Sequence, residues 1–312
     1  MSAPRYIQIL DVKNVAAGKV AVATFPKGRA NIRRVIFRVG DTAAANLNAP
    51  ALTAVVNDAM PIQMKANGAI QRAIRVSHLD AINALRGAEF ASQAYAGNTN
   101  GLPNANGAGR RDIFMYFEEP DRTRIRDNSV DSNIMGFRTG WLPESKPLQF
   151  YIPLAAGVTP SLEVFAEIDD DDDGRVYRFM KYFSEDDNVN TAVANIVGFQ
   201  KGVKDGDRFS QLSVFNTSDA KTPATVRLEI NDTVVYEDIP ISVLHSINKG
   251  NRLDYAGANA IANGAHLVFD ANDALDDTIP ANFAKAKLQV GLSAAANGSI
   301  PTVIQRWGLP EG

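Results

Sequence analysis

The densest group of potential ligands in the chain is Asp169-Asp170-Asp171-Asp172-Asp173-Gly174. Asp169, Asp171 and Asp173, spaced two apart and followed by glycine, match the opening of an EF-hand loop, whose hard carboxylate oxygens hold calcium. The acid that closes such a loop is missing, because the twelfth position is Met180 and no helical pattern precedes the run. Adjacent like charges repel in any compact element. The run therefore reads as an acidic connection over 169–175, with Asp169, Asp171 and Asp173 as calcium candidates if another subunit completes the shell.

Other reactive side chains are more dispersed. Glu118, Glu119 and Asp121 could pair two carboxylates for glycoside hydrolysis. A second acidic group, Asp270 and Asp273, lies later in the chain. Neighbouring acids after a strand are more simply read as solvated charge. The histidines are His78, His245 and His266, with no H-x-H arrangement, so the clustered imidazoles of a cupin metal site are not provided. No Gly-rich phosphate loop, G-x-S-x-G elbow or H-E-x-x-H motif occurs. Arg110, Arg111, Arg122, Arg124 and Arg126 bracket a predicted strand, but Asp112, Glu118, Glu119, Asp121 and Asp127 are interleaved and cancel most of their field. No cofactor and no catalytic residue is assigned.

The elements that carry these groups are short strands. Period-two runs recur in Lys19–Phe25, Val35–Val39, Ser161–Ala166, Thr225–Ile230 and Pro301–Ile304, and many short strands separated by turns predict sandwiches or barrels. The pattern S-x-L-x-x-I-N at Ser77–Asn83 returns at Ser242–Asn248, 165 residues later. Each copy predicts a short helix, with the serine placed to cap it and Leu and Ile three apart on one face. Before each copy an apolar stretch is broken by a turn dipeptide, Asn67-Gly68 and Asn231-Asp232, which predicts a β-hairpin.

Further correspondences keep the same order. Gly28–Phe37 resembles Gly206–Phe215, Ile113–Phe117 pairs with His266–Phe269, and Leu148–Ile152 pairs with Leu288–Leu292. The offset falls from 178 through 165 to 152 and 140, as longer loops in the first copy would produce. Two long copies mean a duplicated domain and not a solenoid. The predicted domains are 1–168 and 176–312, joined by the acidic run. Residues 87–111, rich in Gly, Asn and Ala, predict an exposed loop, and Ser129–Pro147 is a second candidate for outward loops or subunit contacts.

At 312 residues and 45% hydrophobic the chain can bury two ordinary cores. Its lack of cysteine excludes disulfides, thiolate metal sites and a cysteine nucleophile. No apolar signal region opens the sequence and no stretch is long enough to span a bilayer, so export by a signal peptide is not expected. A net charge of -3 and a pI near 5.7 argue against a general nucleic-acid binder, and no specific nucleic-acid partner is assigned.

The succession Val15–Val20, Phe25–Arg29, Met64–Gly68, Leu79–Asn83 and Leu148–Ile152 resembles the N-terminal domain of the coat protein of corticoviruses and similar tailless phages, and the second half resembles its companion jelly roll. The resemblance covers essentially the whole chain and rests on the order of structural motifs. It implies an all-β double jelly-roll major capsid protein, made of two tandem eight-stranded jelly rolls, each with a short helix. It also implies homotrimers forming pseudo-hexagonal capsomers that tile an icosahedral shell over an internal lipid membrane. The implied partners are neighbouring capsomers and penton, minor capsid or membrane proteins. The implied location is the virion, after synthesis in the host cytoplasm. An alternative is a tandem β-sandwich that binds carbohydrate or mediates adhesion, for which Tyr95, Trp141 and Tyr255 would stack on sugar rings, while Trp307 is expected in core or contact. A hydrolase built on Glu118 or Glu119 is a further alternative.

Overall fold

The computed structural model describes residues 5–43, 48–96, 109–117, 136–170, 172–189, 195–199, 203–204, 206–215, 222–250, 264–269, 278–293 and 298–311. The chain divides into two compact units. Unit 1 holds Met1–Asn83, Glu89–Met180 and Leu309–Gly312, and unit 2 holds Ala84–Ala88 and Lys181–Gly308.

The strands of unit 1 are β1 (Arg5–Ile9), β2 (Asp11–Lys13), β3 (Val20–Thr24), β4 (Asn31–Asp41), β5 (Ile62–Ala66), β6 (Ala69–Ile74), β7 (Gln93–Tyr95), β8 (Arg110–Tyr116), β9 (Phe137–Arg138), β10 (Gln149–Pro153) and β11 (Pro160–Asp169). Helix α1 (Leu52–Val55) is a single turn, and α2 (Val76–Arg86) begins in this unit. One sheet runs β1-β11-β4-β8-β7, and the facing strands run β6-β5-β10-β3-β2. Setting aside the short strands β2, β7 and β9 leaves eight strands. Numbered along the chain, their order is first-eighth-third-sixth in one sheet and second-seventh-fourth-fifth in the other. Such interleaving of two antiparallel sheets is the jelly roll.

The alternation that predicts these strands also supplies the core. Ile62, Met64 and Ala66 on β5 are buried together, and so are Phe150 and Ile152 on β10. The rings of Phe37 on β4 and Phe150 on β10 meet edge to face at 5.7 Å between the sheets. On β4 the buried residues Ile32 and Val35 are three apart, which strict alternation forbids. A bulge resolves this: Glu167 pairs with Arg34 and Ile168 with Ile32, leaving Arg33 as the extra residue.

Unit 2 repeats the plan with β12 (Phe179–Val189, whose first two residues belong to unit 1), β13 (Asn195–Val197), β14 (Arg208–Val214), β15 (Pro223–Ile230), β16 (Thr233–Pro240), helix α3 (Ile241–Gly250), β17 (Ala265–Val268), β18 (Ile279–Pro280), β19 (Ala286–Leu292) and β20 (Gly298–Gly308). Its sheets run β17-β14-β20-β12 and β13-β19-β15-β16. Without the two-residue β18, this is the same eight-strand order. The core gathers Phe209, Leu212 and Val214 on β14, Leu228 on β15, Leu288 and Val290 on β19 and Ile304 on β20, closed by Ile241 and Leu244 from α3. The proposed repeats therefore join equivalent strands: β4 with β14, β8 with β17, and β10 with β19.

Both predicted hairpins form with two-residue turns of positive φ, Asn67 and Gly68 at 51° and 81°, Asn231 and Asp232 at 50° and 62°. Their left-handed backbone matches the right-handed twist of the flanking strands. Both helices follow their hairpins, as predicted, but the capping of α2 differs from expectation. Ser77 lies inside the helix, and its N–H and hydroxyl both donate to Asp58, at 2.9 and 2.6 Å. The carboxylate of Asp58, and not the serine, satisfies the freed amide. Of the segment 87–111, residues 97–108 lie outside the described residues, and the part before them is more regular than its composition implies. It contains a 3-10 turn at Ala88–Phe90 and the edge strand β7, anchored where Asp80 Oδ1 accepts from the Ser92 N–H at 2.5 Å.

Candidate functional site

The acidic run is built into unit 1 as a clasp. Asp169 ends β11 buried, because the bulge at Arg33 turns that guanidinium to meet it, with Arg33 Nε 2.8 Å from Asp169 Oδ2. Asp170 accepts from Arg5 Nη2 at 2.7 Å, tying the start of β1 to the same place. Asp172 is a hub for backbone amides: Oδ2 accepts from Ala30, Thr139 and Gly140 at 3.2, 3.0 and 2.6 Å, and Oδ1 from Gly174 at 2.8 Å. Position 140 has to be glycine for this approach, since a Cβ there would lie 2.8 Å from Asp172 Oδ1. Asp173 accepts from the Tyr177 hydroxyl at 2.6 Å, the Arg175 N–H at 3.0 Å and Arg138 Nη1 at 2.9 Å. The Arg138 guanidinium also lies 3.8 Å from the Tyr177 ring centroid.

This arrangement answers two expectations. A run of like charge need not be a solvated connection when each carboxylate has its own donors, and here the described members join the start of β4, β9 and the end of β11. The donors to Asp169, Asp172 and Asp173 are guanidinium, amide and hydroxyl groups, whereas calcium asks for six to eight oxygens. Asp171 lies outside the described residues. Among the described residues no group of three or more His, Asp or Glu is placed to hold a metal ion.

The Tyr177 hydrogen bond, then the Arg175 amide and Arg138, hold the Asp173 carboxyl at a pKa of about 2, below its ordinary 3.8. A depressed carboxylate stabilises the fold above its unfolded pKa, and that contribution disappears as pH falls through the folded value. Thermal unfolding followed by circular dichroism is expected to show unit 1 losing stability between pH 3.8 and about 2, and Asp173→Asn should flatten that interval. An unchanged acid limb in the variant would refute the assignment.

Among the described residues, the remaining predicted site residues do not assemble into a reactive centre. Glu118, Glu119, Asp121, Arg122, Arg124, Arg126, Asp127, Asp270, Asp273 and Tyr255 lie outside the described residues. His78 is buried on α2. His245 Nε2 lies 2.8 Å from the Gly264 carbonyl, and His266 Nδ1 lies 3.0 Å from Ser213 Oγ. The serine and imidazole have the spacing of a nucleophile and base, but Ser213 is 1% and His266 0% exposed, so no substrate reaches them. Arg111 holds the Pro50 carbonyl and the Ser92 hydroxyl, both at 3.0 Å, and Arg110 lies over the ring of Tyr95. Trp141 is half-buried with its ring 6.2 Å from Phe137, and Trp307 is 2% exposed. Within Ser129–Pro147, residues Gly136–Thr139 are buried, while Pro143–Lys146 are exposed as an outward loop requires.

Sequence reasoning missed several buried charges. Arg72 is 0% exposed on β6, with Nη1 donating to the Tyr116 carbonyl at 2.6 Å. Arg306 and Asp207 form a buried ion pair at 3.2 Å in unit 2. Arg34 lies among the rings of Tyr6, Phe114 and Tyr116, 5.7 to 6.0 Å from their centroids. Burial opposes its charge but is outweighed by the Tyr6 hydrogen bond and the Glu167 carboxylate, so its pKa is raised. Only the alternation of Arg34 and Arg38 with apolar neighbours hinted at a charged outer face.

Duplicated eight-strand sandwiches, each with a helix between fifth and sixth strands, define the double jelly-roll fold. No protein-family model matches the chain, and no curated protein matches it in sequence. Solved structures match it along its length. The major capsid protein P2 from bacteriophage PM2 aligns with 99% of this chain and 98% of its own at TM-score 0.69 and 12% identity. The PBCV-1 virus capsid aligns over 99% and 97% at TM-score 0.63 and 11% identity. The STIV major capsid protein aligns over 99% and 98% at TM-score 0.60 and 11% identity. The chain thus has the fold of viral double jelly-roll major capsid proteins. Among the described residues, no helix is long and apolar enough to cross a membrane.

Proposed function

We propose that this chain is the major capsid protein of an icosahedral virus, a structural protein of the virion and not an enzyme. Three copies form a pseudo-hexagonal capsomer, and capsomers tile a shell over an internal lipid membrane together with penton and minor capsid or membrane proteins. The observation that carries the reading is the same eight-strand order occurring twice in a chain that aligns end to end with structures described as major capsid proteins. Duplication has a geometric use in such a shell: three chains with two similar modules present six similar sides, so a threefold oligomer fills a sixfold position. Tiling asks for rigid sandwiches with variable loops and asks for no reactive centre.

The test is native mass by light scattering across concentration, followed by electron microscopy of the same sample. The expected result is a stable species of three times 33.7 kDa that forms hexagonal arrays or shells. A strict monomer at every concentration would overturn the reading.

A further inference from the structure

The fifth strand of each jelly roll stands at the end of its sheet, and the two modules treat it differently. In unit 1 this strand is β6, and its outer side is bordered. The strand opening at Phe179 is hydrogen-bonded to it, and Arg72 Nε on β6 donates to the Met180 carbonyl at 2.6 Å. Phe179 and Met180 count with unit 1. The Arg72 guanidinium is packed 4.1 Å from the Phe117 ring centroid and 5.6 Å from that of Phe179. The residues covering β6 are therefore Phe179 and Met180, the first two of β12.

In unit 2 the fifth strand is β16, which has β15 on one side and, among the described residues, no strand on the other. It presents Val234 and Val235 at 39% and 45% exposure. An open edge with the sequence Thr233-Val234-Val235-Tyr236 is a template for strand pairing, which folded proteins cover.

We propose that β16 is covered in the capsomer by β1 of a second copy of this chain; the proposal rests on the capsid reading. β1 and β12 hold the same place in their modules, each being the first of eight strands and each lying beside the eighth, β11 and β20. What the start of β12 does for β6 within one chain, the segment opening at Arg5 does for β16 of the neighbouring chain. The contact is heterologous, joining unit 2 of one copy to unit 1 of the next, and three such contacts close a ring. Charge is in keeping with this pairing. Glu237 and Asp238, at 77% and 67% exposure, gather with Glu229 around Arg227, and Arg5, though bound to Asp170 of its own chain at 2.7 Å, keeps 59% of its side chain exposed to a further carboxylate.

The chain has no cysteine, so cross-linking can be read without background. The double variant Arg5→Cys/Val235→Cys, treated with a short bismaleimide at native concentration, is expected to give a ladder on a denaturing gel that reaches covalent trimer. Gln8→Cys/Val234→Cys is a second pair should the first fail to fold. Arg5→Cys/Ile196→Cys, which uses the opposite edge strand β13, is expected to stay monomeric on the gel. Trimeric mass in solution with no cross-link from either β1/β16 pair overturns the strand assignment and leaves the capsid reading standing. A monomeric mass overturns both.

Discussion

Replacing Asp172 by alanine is expected to lower the unfolding free energy by about 3–4 kcal/mol, since each hydrogen bond to a charged acceptor contributes about 1.5–3 kcal/mol and the four on this side chain are not additive. The loss falls on unit 1, because the amides of Ala30, Thr139 and Gly140 converge on one oxygen and belong to β4's approach and the turn after β9. Without that oxygen the Ala30 amide keeps Thr139 Oγ1 and the Thr139 amide keeps the Ala30 carbonyl, both at 3.0 Å, so the uncompensated loss falls on Gly140 and, at the other oxygen, Gly174. Asp172→Asn keeps the shape but replaces one oxygen by a donor, so either the three converging N–H groups or that of Gly174 then face an N–H. It should lose about half as much. The tryptophans give separate probes, Trp141 in unit 1 and Trp307 in unit 2. In a Trp307→Phe background, urea unfolding followed by Trp141 fluorescence should shift to lower denaturant, whereas Trp307 in a Trp141→Phe background should move less. An unshifted Trp141 transition would mean that the clasp does not hold unit 1.

The acidic run marks a limit of reading chemistry from spacing. Asp169, Asp171, Asp173 and Gly174 have the spacing of a calcium loop, yet what fills the described oxygens is decided by Arg33, Arg138, Tyr177 and amides from residues 30, 139 and 140. Those donors are more than 100 residues away in the case of Arg33 and Ala30, and no local pattern announces them. Fold-level features were more legible because they are local and occur twice. A turn dipeptide between apolar runs, an S-x-L-x-x-I-N helix and a glycine feeding an alternating strand each constrain only neighbouring residues, and repetition in the same order excluded coincidence. The bulge at Arg33 was invisible for the opposite reason. It exists because β11 and β4 differ in register by one residue, a property of a pair of strands and not of either sequence. Likewise, the serine of the helix motif suggested a cap, but Asp58, placed by the turn after α1, reaches the amide first.

Removing Asp207 should be the most damaging single change in unit 2. Its carboxylate lies 3.2 Å from Arg306 Nε, with the side chains 4% and 1% exposed, and it also accepts from the Lys204 N–H at 3.1 Å. Arg306 sits with its guanidinium 4.8 Å from the Phe183 ring. A Cβ at Gly308 would run into the Asp207 carboxylate, so glycine follows Trp307 where the pair closes. Breaking a buried pair from one side leaves an uncompensated charge, at a cost of about 3–5 kcal/mol, whereas replacing both partners by apolar groups of similar volume is often close to neutral. Asp207→Ala is therefore expected to shift the Trp307 transition strongly and the Trp141 transition little. Adding Arg306→Met should recover part of the loss, making the double variant more stable than Asp207→Ala alone. The sign of that coupling decides the matter. If the two substitutions simply add, Asp207 acts through its amide contact and not through its charge, and the buried pair contributes nothing specific to unit 2. If the second substitution restores stability, the pair is a constraint that sets β20 against the turn before β14, and a neutral replacement at both positions gives a unit with the same fold that is more stable than Asp207→Ala alone.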